Sequence, residues 1–153
     1  MQFGMPTLIE IKTLESCAAL CRELGLGFVE FNVDLPDCQI DRLDPVRLSE
    51  MAKKCGILLE STVFALTFDT GHNAGNDFQQ QPLIKRHIDR LSHMHLHDYS
   101  KTRGAHLPFG EGELELGKYL DLAKAHDCRV VLEVKTVDGL RRSVEWLKAR
   151  GWL

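Results

Sequence analysis

A chain of 153 residues is long enough for one compact domain with a true core, and 44% apolar against 27% charged residues is an ordinary globular balance. The formal net charge of −3, with no Lys/Arg cluster at either end, gives no footing for nucleic acid. No apolar run approaches the ~18 residues of a membrane span, the N-terminus lacks a signal-peptide pattern, and five dispersed cysteines without a CxxC pair fit buried thiols in a reducing cytoplasm.

The chain opens on a strand-like segment, "MQFGMPTLIEI". Thr13 then caps a helix whose Leu14, Cys17, Ala18, Cys21 and Leu24 share one face, and Gly25 stops it. "GFVEFNV" (Gly27 to Val33) reads as a strand. Asp44 as N-cap, Pro45 at the first helical position and Gly56 past the end bracket the next helix, with Leu48, Met51, Ala52 and Cys55 on one face. An apolar stretch from Ile57 to Phe68 follows as a single run. After the Gly-rich "GHNAGND", a helix is expected over about Pro82 to Leu91, with Leu83, Ile84, His87, Ile88 and Leu91 inward. Strand "HMHLHDY", loop "SKTRGAHLPFGEGE", a helix from about Leu116 to His126, strand "RVVLEVK" and a helix capped by Asp138 complete the pattern.

Strands that alternate with helices in this way form right-handed βαβ units and a parallel sheet, whose chemistry collects at the carboxyl ends of the strands. Asp69, His72, His95, His97, Asp98 and Glu133 fall at or near such ends. Period-two alternation decides which of them converge. Ala65, Thr67 and Asp69 share one face; His93, His95 and His97 oppose Met94 and Leu96; Val131, Glu133 and Lys135 oppose Val130, Leu132 and Val134. Asp69, His95 and Glu133 can therefore aim at one point. Two carboxylates and an imidazole suit a divalent cation such as Mn²⁺, Zn²⁺, Co²⁺ or Mg²⁺, and three ligands with an open position suit catalysis.

"FDTGHN", "HMHLHD", "HLPFGEGELE" and "VVLEV", in that order, resemble the xylose isomerase-like TIM barrels, a superfamily of sugar-phosphate isomerases, ketose epimerases and abasic-site endonucleases. The resemblance covers Phe64 onward as the last three βα units, and residues 1–56 look like the first two, with Glu30 ending the second strand. It implies Asp69, His95 and Glu133 as metal ligands on the sixth, seventh and eighth strands, and His72 and His106 as substrate contacts. Gly104 stands where the endonuclease branch has an Asp two positions before the His of the "GEG" loop, which favours the isomerase/epimerase branch.

A full barrel of this kind has about 250 residues, so this single domain lacks its central units. The family's fifth-strand Glu, both ligand and acid/base partner of Glu133, has Glu60 as its only candidate. On one uninterrupted strand Glu60 would face away from Asp69. The expectation is a truncated barrel-like parallel sheet of about five to six strands that exposes Val131 on its concave face. An obligate homodimer with the Ile57 to Phe68 segment at its interface would complete it. Its function is then a metal-dependent isomerase/epimerase-like protein acting weakly on a sugar or sugar phosphate. The alternative is a non-catalytic relative that keeps the fold and the metal.

Overall fold

The computed structural model describes residues 1–31, 44–56, 58–60 and 66–153. In chain order its elements are β1 (Gln2–Pro6), α1 (Leu14–Glu23), β2 (Phe28–Glu30), α2 (Pro45–Cys55), β3 (Leu58–Glu60), β4 (Leu66–Asp69), α3 (Thr70–Gly75), α4 (Gln81–Arg86), β5 (Leu91–Leu96), β6 (Asp98–Ser100), β7 (Gly104–Leu107), α5 (Leu116–Ala125), β8 (Arg129–Leu132) and α6 (Val137–Lys148). Six strands form one all-parallel sheet in the order β3-β2-β1-β8-β5-β4, while β6 and β7 pair antiparallel as a separate hairpin. This is an α/β fold with a shortened, barrel-like parallel sheet.

Local chemistry sets the helix starts. The Thr13 hydroxyl accepts the Ser16 N–H at 3.2 Å at the head of α1. At α2 the Asp44 carboxylate accepts the N–H groups of Val46 and Arg47 at 2.9 and 3.3 Å. Pro45 loses nothing there, because the first helical N–H has no partner within the helix. Gly56 ends α2 at φ +65°, a left-handed conformation that glycine adopts without steric penalty. At α6 the cap is Thr136 rather than Asp138: its hydroxyl accepts the Gly139 N–H at 3.0 Å. Asp138 instead sits in the first turn, where the helix dipole favours an anion, and accepts from Arg142 Nε at 2.9 Å.

The outward face of the sheet carries the core. Met5, Val29, Met94, Leu96, Val130 and Leu132 are buried under Cys17 and Cys21 of α1, Leu120 of α5, and Leu140 and Leu147 of α6. Cys17, Cys21 and Cys128 are buried thiols rather than disulfides, and burial pushes the Cys21 thiol up to about 12. Among the described residues no helix is long and apolar enough to cross a membrane.

The structure departs from the sequence reading in several further places. The run from Ile57 to Phe68 is not one strand: β3 pairs with β2 at one edge of the sheet and β4 with β5 at the other. Residues 57 and 61–65, Ala65 among them, lie outside the described residues. The helix expected to reach Leu91 breaks into α4 and a 3-10 turn (Ile88–Arg90), so Leu91 is buried as the first residue of β5 while Leu83 is exposed. "TGHNAG" forms the short helix α3, and the loop after Ser100 contains the second strand of a hairpin. Finally, Val131 is fully buried, so the concave face is not open at that position. The outer edges of β3 and β4 have no strand partner among the described residues.

Candidate metal centre

Strand alternation turns Met94 and Leu96 into the core and presents His93 and His95 on the opposite face of β5. The registers bring the other groups alongside: Asp69 stands beside His95, and His95 beside Val131, so Glu133 follows one pleat further on the same face. His95 Nδ1 consequently lies 3.8 Å from Asp69 Oδ2 and 3.5 Å from Glu133 Oε2. The three residues expected to converge are together. His72 and His106 stand at the rim. The His72 N–H donates to Asp69 Oδ1 at 2.8 Å and its Nδ1 is 3.0 Å from Asp69 Oδ2, with the side chain half exposed. His106 Nδ1 is 3.9 Å from Glu133 Oε2, and the His72 and His106 rings meet edge-on at 4.8 Å. The side chain of Glu60 lies outside the described residues, although its backbone pairs in register with Glu30.

His97 was not singled out as a ligand, yet it is fully buried at the same point, 3.2 Å from Asp69 Oδ1 and 3.6 Å from Glu133 Oε2 through Nε2. Its protonation pattern decides its role. The His106 backbone N–H, which can only donate, points at His97 Nδ1 at 2.8 Å. The closer of the two contacts at Nδ1 is this N–H, the Asp98 carbonyl standing at 3.3 Å, and it favours the tautomer in which Nε2 carries the proton toward Asp69. His97, His106 and His72 present nitrogens within 4.8 Å of one another. His97 and His95 thus both face the two carboxylates, His97 through Nε2 and His95 through Nδ1, and Asp69, His97 and Glu133 present ligand atoms within 4.8 Å of one another.

The site passes a direct test of fit to a cation. Glu133 Oε2 is buried and has no hydrogen-bond partner among the described residues. Three imidazole nitrogens stand 3.5 to 3.9 Å from it, too far for hydrogen bonds. A buried carboxylate oxygen without a partner is costly, whereas carboxylate and imidazole donors around a shared divalent ion satisfy one another.

Sequence reasoning also missed Glu30 as a site residue. Its Oε2 is 2.9 Å from His95 Nε2 and its Oε1 is 3.2 Å from His93 Nε2. The distances are those of hydrogen bonds, but the angles are not, and both buried ring nitrogens lack a hydrogen-bonded partner among the described residues. The charges respond to the cluster nonetheless. Burial would raise the Glu30 carboxyl, but the contacts to His93 and His95 outweigh it and bring it down to about 2. Burial would lower His95; Glu133 and Glu30 outweigh it and hold the ring up to about 10. Asp69 is likewise buried, yet the His97 hydrogen bond and the His72 N–H keep its carboxyl well below the usual carboxylate range.

Two further features hold the mouth of the site in shape. Asp98, almost fully buried, accepts four backbone N–H groups: Tyr99 at 2.9 Å and Leu114 at 3.1 Å on Oδ1, Gly110 at 3.0 Å and Gly112 at 2.9 Å on Oδ2. The loop that follows β7 is thereby tied to the end of β5. His106 is held at φ +62°, a strained conformation for a side-chain-bearing residue. Its ring Nδ1–H donates to the Glu133 carbonyl at 3.0 Å, which leaves Nε2 as a bare acceptor. Gly71 is required where α3 crosses the site, because a Cβ there would overlap the His97 ring.

The family described as xylose isomerase-like TIM barrel matches the chain over residues 4–150. No curated protein matches it. Among solved structures the chain is similar to a D-tagatose 3-epimerase-like protein, at 17% identity over 96% of this chain and 74% of that one, with a TM-score of 0.46. It is also similar to an L-ribulose 3-epimerase, at 14% identity over 91% of this chain, with a TM-score of 0.44, and it spans 65% of the length of that protein.

Proposed function

Because the chain belongs to the xylose isomerase-like TIM barrel family, we propose that it is a metal-dependent sugar or sugar-phosphate isomerase/epimerase-like protein, with Asp69, His95 and Glu133 holding one divalent cation. The observation that carries this reading is the buried, unpartnered Glu133 Oε2 faced by His95 Nδ1 at 3.5 Å. A cation bound there supplies a Lewis acid that polarises a sugar carbonyl and its neighbouring hydroxyl. Glu133 is the group that takes the proton from the carbon beside that carbonyl. His97 keeps Asp69 oriented. His72, half exposed at the rim, and His106, with its free Nε2, are the polar contacts for substrate hydroxyls.

A second acid/base carboxylate is the weak point of the site. Glu60 is the proposed partner and fourth ligand, on a strand whose backbone runs beside Glu30. With Glu133 as the one described carboxylate in that role, turnover is expected to be slow. Deuterium exchange from solvent at the carbon beside a ketose carbonyl measures it most sensitively. Slow exchange in the wild type should vanish in Glu133→Gln, at a cost of two or more orders of magnitude for a lost acid/base group, about 10²–10⁴-fold. Exchange that survives Glu133→Gln would remove this residue from the mechanism.

The same reading includes assembly with a second copy. The outer edges of β3 and β4, without a strand partner among the described residues, support pairing between chains, and a homodimer is the expected state. Light scattering that finds a folded monomer at micromolar concentration would overturn it.

A further inference from the structure

We propose that Glu30 is a positioning residue for the metal centre: its carboxylate takes the Nε2 side of His95 and so turns Nδ1 toward Asp69 and Glu133. This rests on the metal reading above and adds a residue to it.

The sheet order explains why the contact is informative. β2 and β5 are not neighbours, since β1 and β8 lie between them. Glu30 meets His95 only across the concave face, at 2.9 Å. The opposite side of the same ring faces Asp69 and Glu133 at 3.8 and 3.5 Å. The two nitrogens of an imidazole point away from each other, so a carboxylate on Nε2 cannot share an ion bound through Nδ1. Glu30 is therefore no substitute for a missing fourth ligand. What it can do is accept the Nε2 proton, which fixes the tautomer and raises the basicity of Nδ1. His93 Nε2 stands 3.2 Å from the other Glu30 oxygen, so each oxygen of the carboxylate faces an imidazole. Hydrogen bonds in ligand-free sites are often poorly aligned and tighten only when the site is occupied.

Carboxylates in this relation to a metal-binding imidazole are worth about 10–100-fold in affinity. The experiment is Mn²⁺ and Co²⁺ binding by calorimetry to the full chain, with the Co²⁺ absorption spectrum as a second readout. The wild type should bind one ion, and Asp69→Asn none. Glu30→Gln should still bind one ion, about 10–100-fold more weakly, with an altered Co²⁺ spectrum, and Glu30→Asp should recover part of the loss. Should Glu30→Gln fail to fold, His93→Gln carries the same test. It frees one Glu30 oxygen without touching His95 and should weaken binding by up to about tenfold. Unchanged affinity and spectrum in the Glu30 variant, or in the His93 variant where that one is used, would overturn the positioning role while the metal reading stood. Two ions per wild-type chain, one of them lost in Glu30→Gln, would overturn it as well, because Glu30, His93 and His95 would then form a cation site of their own. A wild type that binds neither ion would sink the metal reading itself.

Discussion

Adding Mn²⁺ or Zn²⁺ to the wild-type chain should raise its thermal midpoint, and Asp69→Asn, His95→Ala and Glu133→Gln should each erase that rise. An ion that binds only the folded state at a hundredfold excess over Kd stabilises it by about 2.7 kcal/mol. For a domain of this size that corresponds to about 5–10 °C. Asp69→Asn is the most diagnostic of the three. The amide keeps the shape of the carboxylate and one oxygen for the His72 N–H that Asp69 now caps, so α3 keeps its start. The negative charge and the acceptor oxygen that faces His72 and His95 are lost, and with them the pairing of two carboxylates that a divalent cation requires. Differential scanning fluorimetry with and without a chelator measures the shift. A wild type that carries no metal by elemental analysis, and whose midpoint no divalent ion moves, would refute the site.

Asp98→Ala is expected to destabilise the fold more than any change within the metal centre. Four N–H groups converge on this one buried carboxylate. Bonds to a charged acceptor contribute about 1.5–3 kcal/mol each, and an orphaned buried N–H costs about 1–3 kcal/mol. These terms overlap, so the net loss is on the order of 4 kcal/mol or more, or about 10 °C in midpoint. Asp98→Asn should recover little. Its amide nitrogen would face two backbone N–H groups that can only donate, where the carboxylate accepted them. A midpoint within about 3 °C of wild type for Asp98→Ala would mean that the loop after β7 holds its place without this residue.

The parts of the molecule legible in the sequence are those set by near neighbours. Thr13 and Asp44 cap their helices as read, because an N-cap needs only a side-chain oxygen two or three residues before the N–H groups it accepts. Thr136 and Asp138 both satisfy that rule, so the sequence does not choose between them; the backbone turn does, two residues earlier than expected. Alternation placed Asp69, His95 and Glu133 on converging faces without knowledge of the strand order. It could not place Glu30, whose partners are set by the curvature of the sheet across two intervening strands. The double use of the stretch from Ile57 to Phe68 was hidden for a related reason. An apolar run without Gly, Pro or Asn carries no mark of where one strand stops and another begins. The β6–β7 hairpin was invisible because its strands are three and four residues long and one of them carries His106 at positive φ.

The pairing of β1 with β8 has a kinetic consequence. Gln2 stands beside Arg129, so the middle of the sheet closes a loop of well over a hundred residues. A full barrel of about 250 residues would close a loop less than about twice as long, and each doubling adds only ~0.6 kcal/mol of closure entropy. The shortened chain therefore gains almost nothing in folding speed from its brevity, and its parallel, sequence-distant contacts place it among the slower folders. During synthesis β1 must wait for β8 with only β2 beside it, and through that interval one side of what becomes a central strand remains an open edge to which other chains can add.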